Sequence, residues 1–202
     1  MKKIALSFGA AVLAAGLSQA ASAQSFDGFY AGAEAGWTQH SAGTFSSPLG
    51  DVAAGRSHDA ASAGLFVGYD YRVAPRIVIG AEAGLSFGID DRFARDTGSA
   101  LLAIDPKRSI DLTARVGYLV TDNTLVYARG GYTNARLGTS IKEESGVRSA
   151  TGNRDGWLVG GGVEHAFTDR ISTRIEYRYS DLSDGHGKLD RHQALIGVAY
   201  RF

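Results

Sequence analysis

The stretch HQALIGVAYRF, residues 192–202, decides how the chain is read. At period two, Ala194, Ile196, Val198, Tyr200 and Phe202 fall on one face, and Gln193, Leu195, Gly197, Ala199 and Arg201 on the other. This is a strand, and its alternation runs to the final side chain. Chain ends ordinarily fray, so the pattern predicts a terminus held in a sheet by a partner strand.

Upstream, the same alternation recurs in pairs around very short polar turns. ASAGLFVGYDYR (61–72) leads through VAP to RIVIGAEAGLSFG (76–88), and SIDLTARVGYLV (109–120) through TDN to TLVYARGGYTNA (124–135). GWLVGGGVEHAF (156–167) leads through TDR to ISTRIEYRYSD (171–181), with GFYAGAEAGWTQ (28–39) in front. Together with 192–202 this predicts eight strands of about ten residues. Long polar segments separate the pairs at 40–60, 89–108, 136–155 and 182–191. Short turns at one end and long segments at the other predict an all-β fold. It is an eight-stranded antiparallel up-and-down transmembrane β-barrel with short periplasmic turns and long extracellular loops. A soluble sandwich or lipocalin would carry hairpin turns at both ends.

The front of the chain agrees. Lys2 and Lys3, an apolar run from Ile4 to Leu17 and the small residues Ala21 and Ala23 predict a Sec-type signal peptide over 1–23, leaving 24–202 as the barrel domain. Removing Lys2 and Lys3 leaves 19 basic against 21 acidic residues, so no nucleic-acid partner is implied. An exported chain without cysteine has no disulfide scaffold and no thiolate chemistry. No later stretch approaches the length of a helical span.

Phase assigns the faces. With Phe202 outward, Phe29, Trp37, Leu65, Val67, Tyr69, Ile79, Leu112 and Val116 face lipid, and aromatics gather near both strand ends as interfacial girdles. The opposite phase carries Glu34, Asp70, Glu82, Asp111, Arg115, Arg129, Glu164, Arg174, Glu176, Arg178 and Arg201, six acids and five bases. Glu82, Arg115, Arg129, Glu164, Arg174 and Glu176 lie a few residues from a short turn, which predicts one layer roughly 10 to 15 Å above the periplasmic rim. The interior of an eight-stranded barrel is only wide enough for its own side chains, so a balanced layer reads as mutual neutralisation, a plug before a pore.

GFYAGAEAGWTQ, LTARVGY followed by TDN, GGVEHAFTDRISTRIEYRY (161–179) and the ending GVAYRF resemble the membrane domain of the outer-membrane protein A family and the small alphaproteobacterial surface-antigen barrels related to it. The likeness covers the strands and short turns, not the long loops. It implies a lumenal set of alternative ion pairs gating a narrow path, with Glu82–Arg174 and Arg115–Glu164 as resting pairs. The family commonly has Lys at the position of Arg115, and a guanidinium fork holds a carboxylate more rigidly than an ammonium. The peptidoglycan-binding role of two-domain members is not expected here, as neither a Pro-rich linker nor a second domain is read within residues 24–202. The C-terminal alternation with Tyr200 and Phe202 resembles the signal by which the barrel-assembly machinery recognises its clients.

The function expected is therefore a non-enzymatic, monomeric outer-membrane protein surrounded by lipid and lipopolysaccharide, serving envelope integrity or contact with a host or cell-surface ligand through its loops, without cofactors or metals. Two alternatives are weighed. A lipid A-modifying enzyme needs Ser, His and a carboxylate together at one rim; Ser180, Asp181, Asp184 and His186 are close in sequence but fall on a strand end and a Gly-rich segment. A haem or metal binder would use His40, His58, His186 and His192, which show no HxxH or HxxxH spacing. His165, beside a short turn, reads as an interfacial ring.

Overall fold

The computed structural model describes residues 26–47, 50–89, 93–96, 101–143, 146–182 and 187–202. The strands are β1 (Gly28–Ser47), β2 (Gly50–Ala74), β3 (Ile77–Ile89), β4 (Phe93–Asp96), β5 (Leu101–Thr121), β6 (Thr124–Glu143), β7 (Gly146–Ala166), β8 (Ile171–Asp181) and β9 (Gly187–Arg201). All neighbours are antiparallel, in the order β3-β2-β1-β9-β8-β7-β6-β5-β4, and β3 also pairs with β5. Because β3 and β4 lie against successive parts of β5, the nine segments form eight staves and the sheet closes on itself.

The partner of the last strand is the first. β1 and β9 pair from Tyr30 with Arg201 to Phe45 with Gly187. Closure leaves no row of unpaired backbone groups toward hydrocarbon, which would cost several kcal/mol per group. At the lower rim each turn is tied to the next stave: Leu119 N donates to Arg76 O at 2.9 Å, Ala166 N to Asn123 O at 2.8 Å, Arg201 N to Arg170 O at 2.8 Å and Phe202 N to Phe29 O at 3.0 Å.

Burial follows the phase. Phe29 is 64 % exposed and Ile175 65 %, whereas Glu164 and Asp70 on the opposite face are 1 % and 0 %. Among the outward positions Ala63 and Leu85 are half-buried. The strands run well beyond their expected ends. The β1–β2 ladder continues to Ser47 with Gly50, and β6–β7 to Glu143 with Gly146, so much of the four long polar segments is paired hairpin rather than loop. Outside the membrane both faces meet water, so a polar sequence without apolar alternation still forms a ladder when its partner is already aligned.

The rings of Tyr30, Phe66 and Tyr127 occupy the lumen, and glycines on facing strands make room for them. A Cβ on Gly68 would lie 2.3 Å from the Tyr30 hydroxyl, and one on Gly162 2.9 Å from that of Tyr127. Lower still, Phe26 packs with Val78, Leu119, Leu125, Tyr127 and Ala166 in an apolar floor. Phe26 reaches it with φ 66°, a left-handed backbone unusual for an aromatic residue. Gly68→Ala should lower stability by about 1 to 3 kcal/mol through overpacking against Tyr30. Gly84→Ala, whose Cβ would meet nothing nearer than 3.8 Å, should be close to neutral; urea unfolding in detergent compares the two.

Candidate functional site

The inward phase of eight staves delivers its charges to the barrel axis in three tiers. In the lowest, Arg115 donates from Nε to Asp70 Oδ1 at 2.8 Å and from Nη1 to Glu164 Oε2 at 2.9 Å, and also pairs its Nη2 with Asp70. Arg201 Nη2 donates to Asp70 Oδ2 at 2.9 Å and lies 3.7 Å from Glu164 Oε1, which also accepts from Ser172 Oγ at 2.6 Å.

The middle tier sets three guanidiniums against three glutamates. Arg174 donates to Glu82 Oε2 and to Glu34 Oε2, each at 2.6 Å. Arg129 bridges Glu82 Oε1 at 2.7 Å and Glu176 at 3.0 Å. Arg178 grips both oxygens of Glu34, at 2.7 and 2.8 Å, and pairs its Nε with Glu176. Above it, Asp111 accepts from Ser109 at 3.0 Å and Thr133 at 2.6 Å, with Arg191 Nη2 at 3.8 Å. Among the described residues the tiers hold two, three and one carboxylates against two, three and one guanidiniums, so each is neutral by itself.

Aromatic rings separate the tiers and bind them. The Arg115 guanidinium sits 4.8 Å from the Tyr30 ring and 5.1 Å from that of Tyr127, and Arg174 lies 3.6 Å over Phe66. Tyr30 donates to Glu82 Oε2 at 2.9 Å and Tyr127 to Glu176 Oε2 at 2.5 Å, so each ring shields one tier and bonds the other. Cation–π contacts of this kind strengthen when desolvated.

Glu82 and Arg174 therefore meet, as do Arg115 and Glu164; Glu34, Arg129 and Glu176 join the first pair. The two pairs lie in different tiers. The ion pairs found for Arg174 among the described residues go to Glu82, Glu34 and Glu176, with none to Glu164, so an exchange of partners must pass the Tyr30 and Tyr127 rings. Sequence reasoning missed Arg191, placed in a loop but buried here, and the floor residue Phe26. It also passed over Tyr30, Phe66 and Tyr127, although their phase matches that of the charges.

Among the described residues the other candidates do not converge. Ser180 is wholly buried in the lumen, near Arg191, while Asp181 lies on the other face; Asp184 and His186 fall outside the described residues. His40 points inward, whereas His192 lies among outer-face rings, bonded to the Tyr177 hydroxyl at 2.7 Å and tilted against Tyr179 with ring centroids 5.0 Å apart. The side chain of His58 is outside the description. His165 is exposed, 3.0 Å from Thr124 Oγ1 and edge-on to Phe167 with ring centroids 5.0 Å apart. Phe202 lies on the outer surface, edge-on to Tyr200 with ring centroids 5.3 Å apart.

Removing one member of such a network leaves its partners as uncompensated buried charges. Arg174→Ala should cost roughly 3 to 5 kcal/mol. Glu82→Ala also frees Arg129 and Tyr30, so the double variant should be less destabilised than the sum of the singles by at least about 1 kcal/mol. Unfolding free energies of the four proteins in detergent measure this; strict additivity would contradict it.

Comparison with known proteins agrees with the geometry. Residues 8–202 match the family model described as the outer membrane protein beta-barrel domain. Outer membrane protein A of Klebsiella aerogenes is 32 % identical over 214 residues, covering 100 % of this chain and 56 % of that protein. The 25 kDa outer-membrane immunogenic protein of Brucella ovis is 30 % identical over 142 residues, covering 69 % of this chain and 63 % of that one. The chain thus spans little more than half the length of these relatives. Ail, the attachment invasion locus protein of Yersinia pestis, superposes with a TM-score of 0.53 at 13 % identity, over 87 % of this chain and 99 % of that one, a likeness of fold. A closed barrel with an apolar outer belt, a charged lumen and a matching family model over nearly its whole length belongs to the outer membrane protein beta-barrel family, and its place is the cell outer membrane.

Proposed function

We propose that this is a non-enzymatic surface barrel whose lumen is a plug with at most a narrow, ion-pair-gated path. In this reading it supports envelope integrity or contacts a host or cell-surface ligand through its external hairpins. The observation that carries the reading is the neutrality of each lumenal tier: every carboxylate there has a guanidinium partner, and all are buried. A path for ions would have to part charge-assisted pairs, which are stronger than neutral hydrogen bonds and are not repaid by bulk water in so narrow a tube. The apolar floor around Phe26 adds a second barrier at the periplasmic mouth.

Ser180 is buried in the lumen beside Arg191 while Asp181 lies on the other face, which supports the non-enzymatic reading, and lipid A should have the same mass spectrum in a deletion strain as in its parent. The closed sheet has no free edge to share, consistent with action as a monomer within lipid and lipopolysaccharide once the barrel-assembly machinery has inserted it. In planar bilayers the refolded protein should stay closed for most of the recording, with rare small openings. Arg174→Ala should raise the open fraction severalfold. A steady large conductance in the unaltered protein would refute the plug.

A further inference from the structure

At the upper end of the apolar belt, the outward residues of β5, β6 and β7 form three successive cross-strand rungs. Leu112, Tyr132 and Trp157 make the lowest, Ile110, Asn134 and Asp155 the next, and Arg108, Arg136 and Asn153 the highest. Ser109 and Ala135 are buried while Arg108 and Arg136 beside them are exposed, so both guanidiniums stand on the outer wall, away from the lumen. Two rungs are about 13 Å along the strand, or about 10 Å in height at a tilt near 40°. That lifts the arginines from the aromatic girdle, which marks the interface, to the depth of the outer-leaflet headgroups.

Like charges directly opposite on neighbouring strands repel, and Arg108 is the direct cross-strand partner of Arg136. Among the described residues neither has an ion pair. The carboxylate of these rungs, Asp155, is engaged one rung lower, where its Oδ1 accepts from Asn134 Nδ2 at 2.5 Å and from the Tyr132 hydroxyl. Two open forks side by side match the three oxygens and nearly double charge of a phosphomonoester better than the single charge of a carboxylate or phosphodiester. Beneath them Ile110 and Leu112, 50 % and 61 % exposed, present an apolar wall to acyl chains. A ligand that satisfies both parts carries a phosphomonoester on a lipid.

We propose that Arg108 and Arg136 form an outer-wall site for a lipid-borne phosphomonoester, that of the lipid A part of lipopolysaccharide, with its acyl chains along Ile110 and Leu112. The bound phosphate bridges the two guanidiniums and turns their repulsion into a clamp across the β5–β6 ladder. The inference rests on the barrel's place in lipid and lipopolysaccharide and not on the closed lumen, so it reads out independently of conductance.

The test is native mass spectrometry of the refolded, heat-modifiable barrel in a nonionic detergent, titrated with diphosphoryl lipid A. Phosphatidylglycerol and inorganic phosphate are the comparison ligands. The expected result is one saturable lipid A, with phosphatidylglycerol at least about tenfold weaker and inorganic phosphate unable to displace the lipid at equal concentration. Replacing both arginines, Arg108→Gln with Arg136→Gln, should weaken lipid A at least about tenfold. Both positions are exposed on the wall, so heat modifiability and bilayer conductance should stay as in the unaltered protein. Equal affinity for phosphatidylglycerol would reduce the site to general attraction of anions and overturn the phosphomonoester. Displacement of lipid A by an equal concentration of inorganic phosphate would transfer the site to the free anion and overturn the lipid-borne ligand. Undiminished affinity in the double variant, or no saturable lipid A, would overturn the site itself. A steady large conductance with lipid A binding intact would refute the plug and leave this site standing.

Discussion

A charge inside a closed barrel of this width has nowhere to send its field except to another charge in the same tube. Burying an unpaired ion costs several kcal/mol even after relaxation, and no stave can turn its inward face to water without turning its outward face from lipid. The eight inward faces are therefore chosen together. Asp70 on β2 needs Arg115 on β5 and Arg201 on β9, and Glu34 on β1 needs Arg174 and Arg178 on β8. Barrel closure and charge pairing are thus linked: the pairs of Glu34 with Arg174 and Arg178 and of Asp70 with Arg201 form only when the first stave meets the last.

Pairing alone would leave gaps, since guanidiniums are flat and carboxylates small. The rings of Tyr30, Phe66 and Tyr127 fill the space between tiers and lower the local dielectric, which strengthens the pairs they cover. Their bulk explains the small residues opposite. Gly68 and Gly162 are holes matched to particular rings, so the glycine content of these strands reflects packing at least as much as backbone freedom.

How much of this could be read from the chain depends on where two physical demands coincide. Across the membrane, lipid outside and charge inside force strict alternation, so Phe29, Leu65, Ile175 and Phe202 announce their side, and Glu82 or Arg174 theirs. The short turns were legible for the same reason, as breaks between phased runs. The pairing of Glu82 with Arg174 and of Arg115 with Glu164 came from family likeness, because phase places a residue inside but does not say which neighbour it grips. Arg191 escaped because it lies where the outer demand has ended and polar residues occupy both faces. Phe26 escaped because its burial depends on one left-handed backbone angle ahead of β1, which leaves no periodic trace.

The hairpins that continue past the membrane change the stature of the molecule. A strand of 20 residues, the length of β1 or β6, rises roughly 65 Å along its axis at about 3.3 Å per residue, and about 50 Å in height at a tilt near 40°. The apolar band accounts for about half of that height. The remainder is a set of paired ribbons whose backbone bonds are met within each ribbon, standing clear of the headgroups. Residues of those outer ladders can change identity without altering the lumenal tiers, so the surface this barrel shows to the outside is free to diversify while the wall beneath it stays the same.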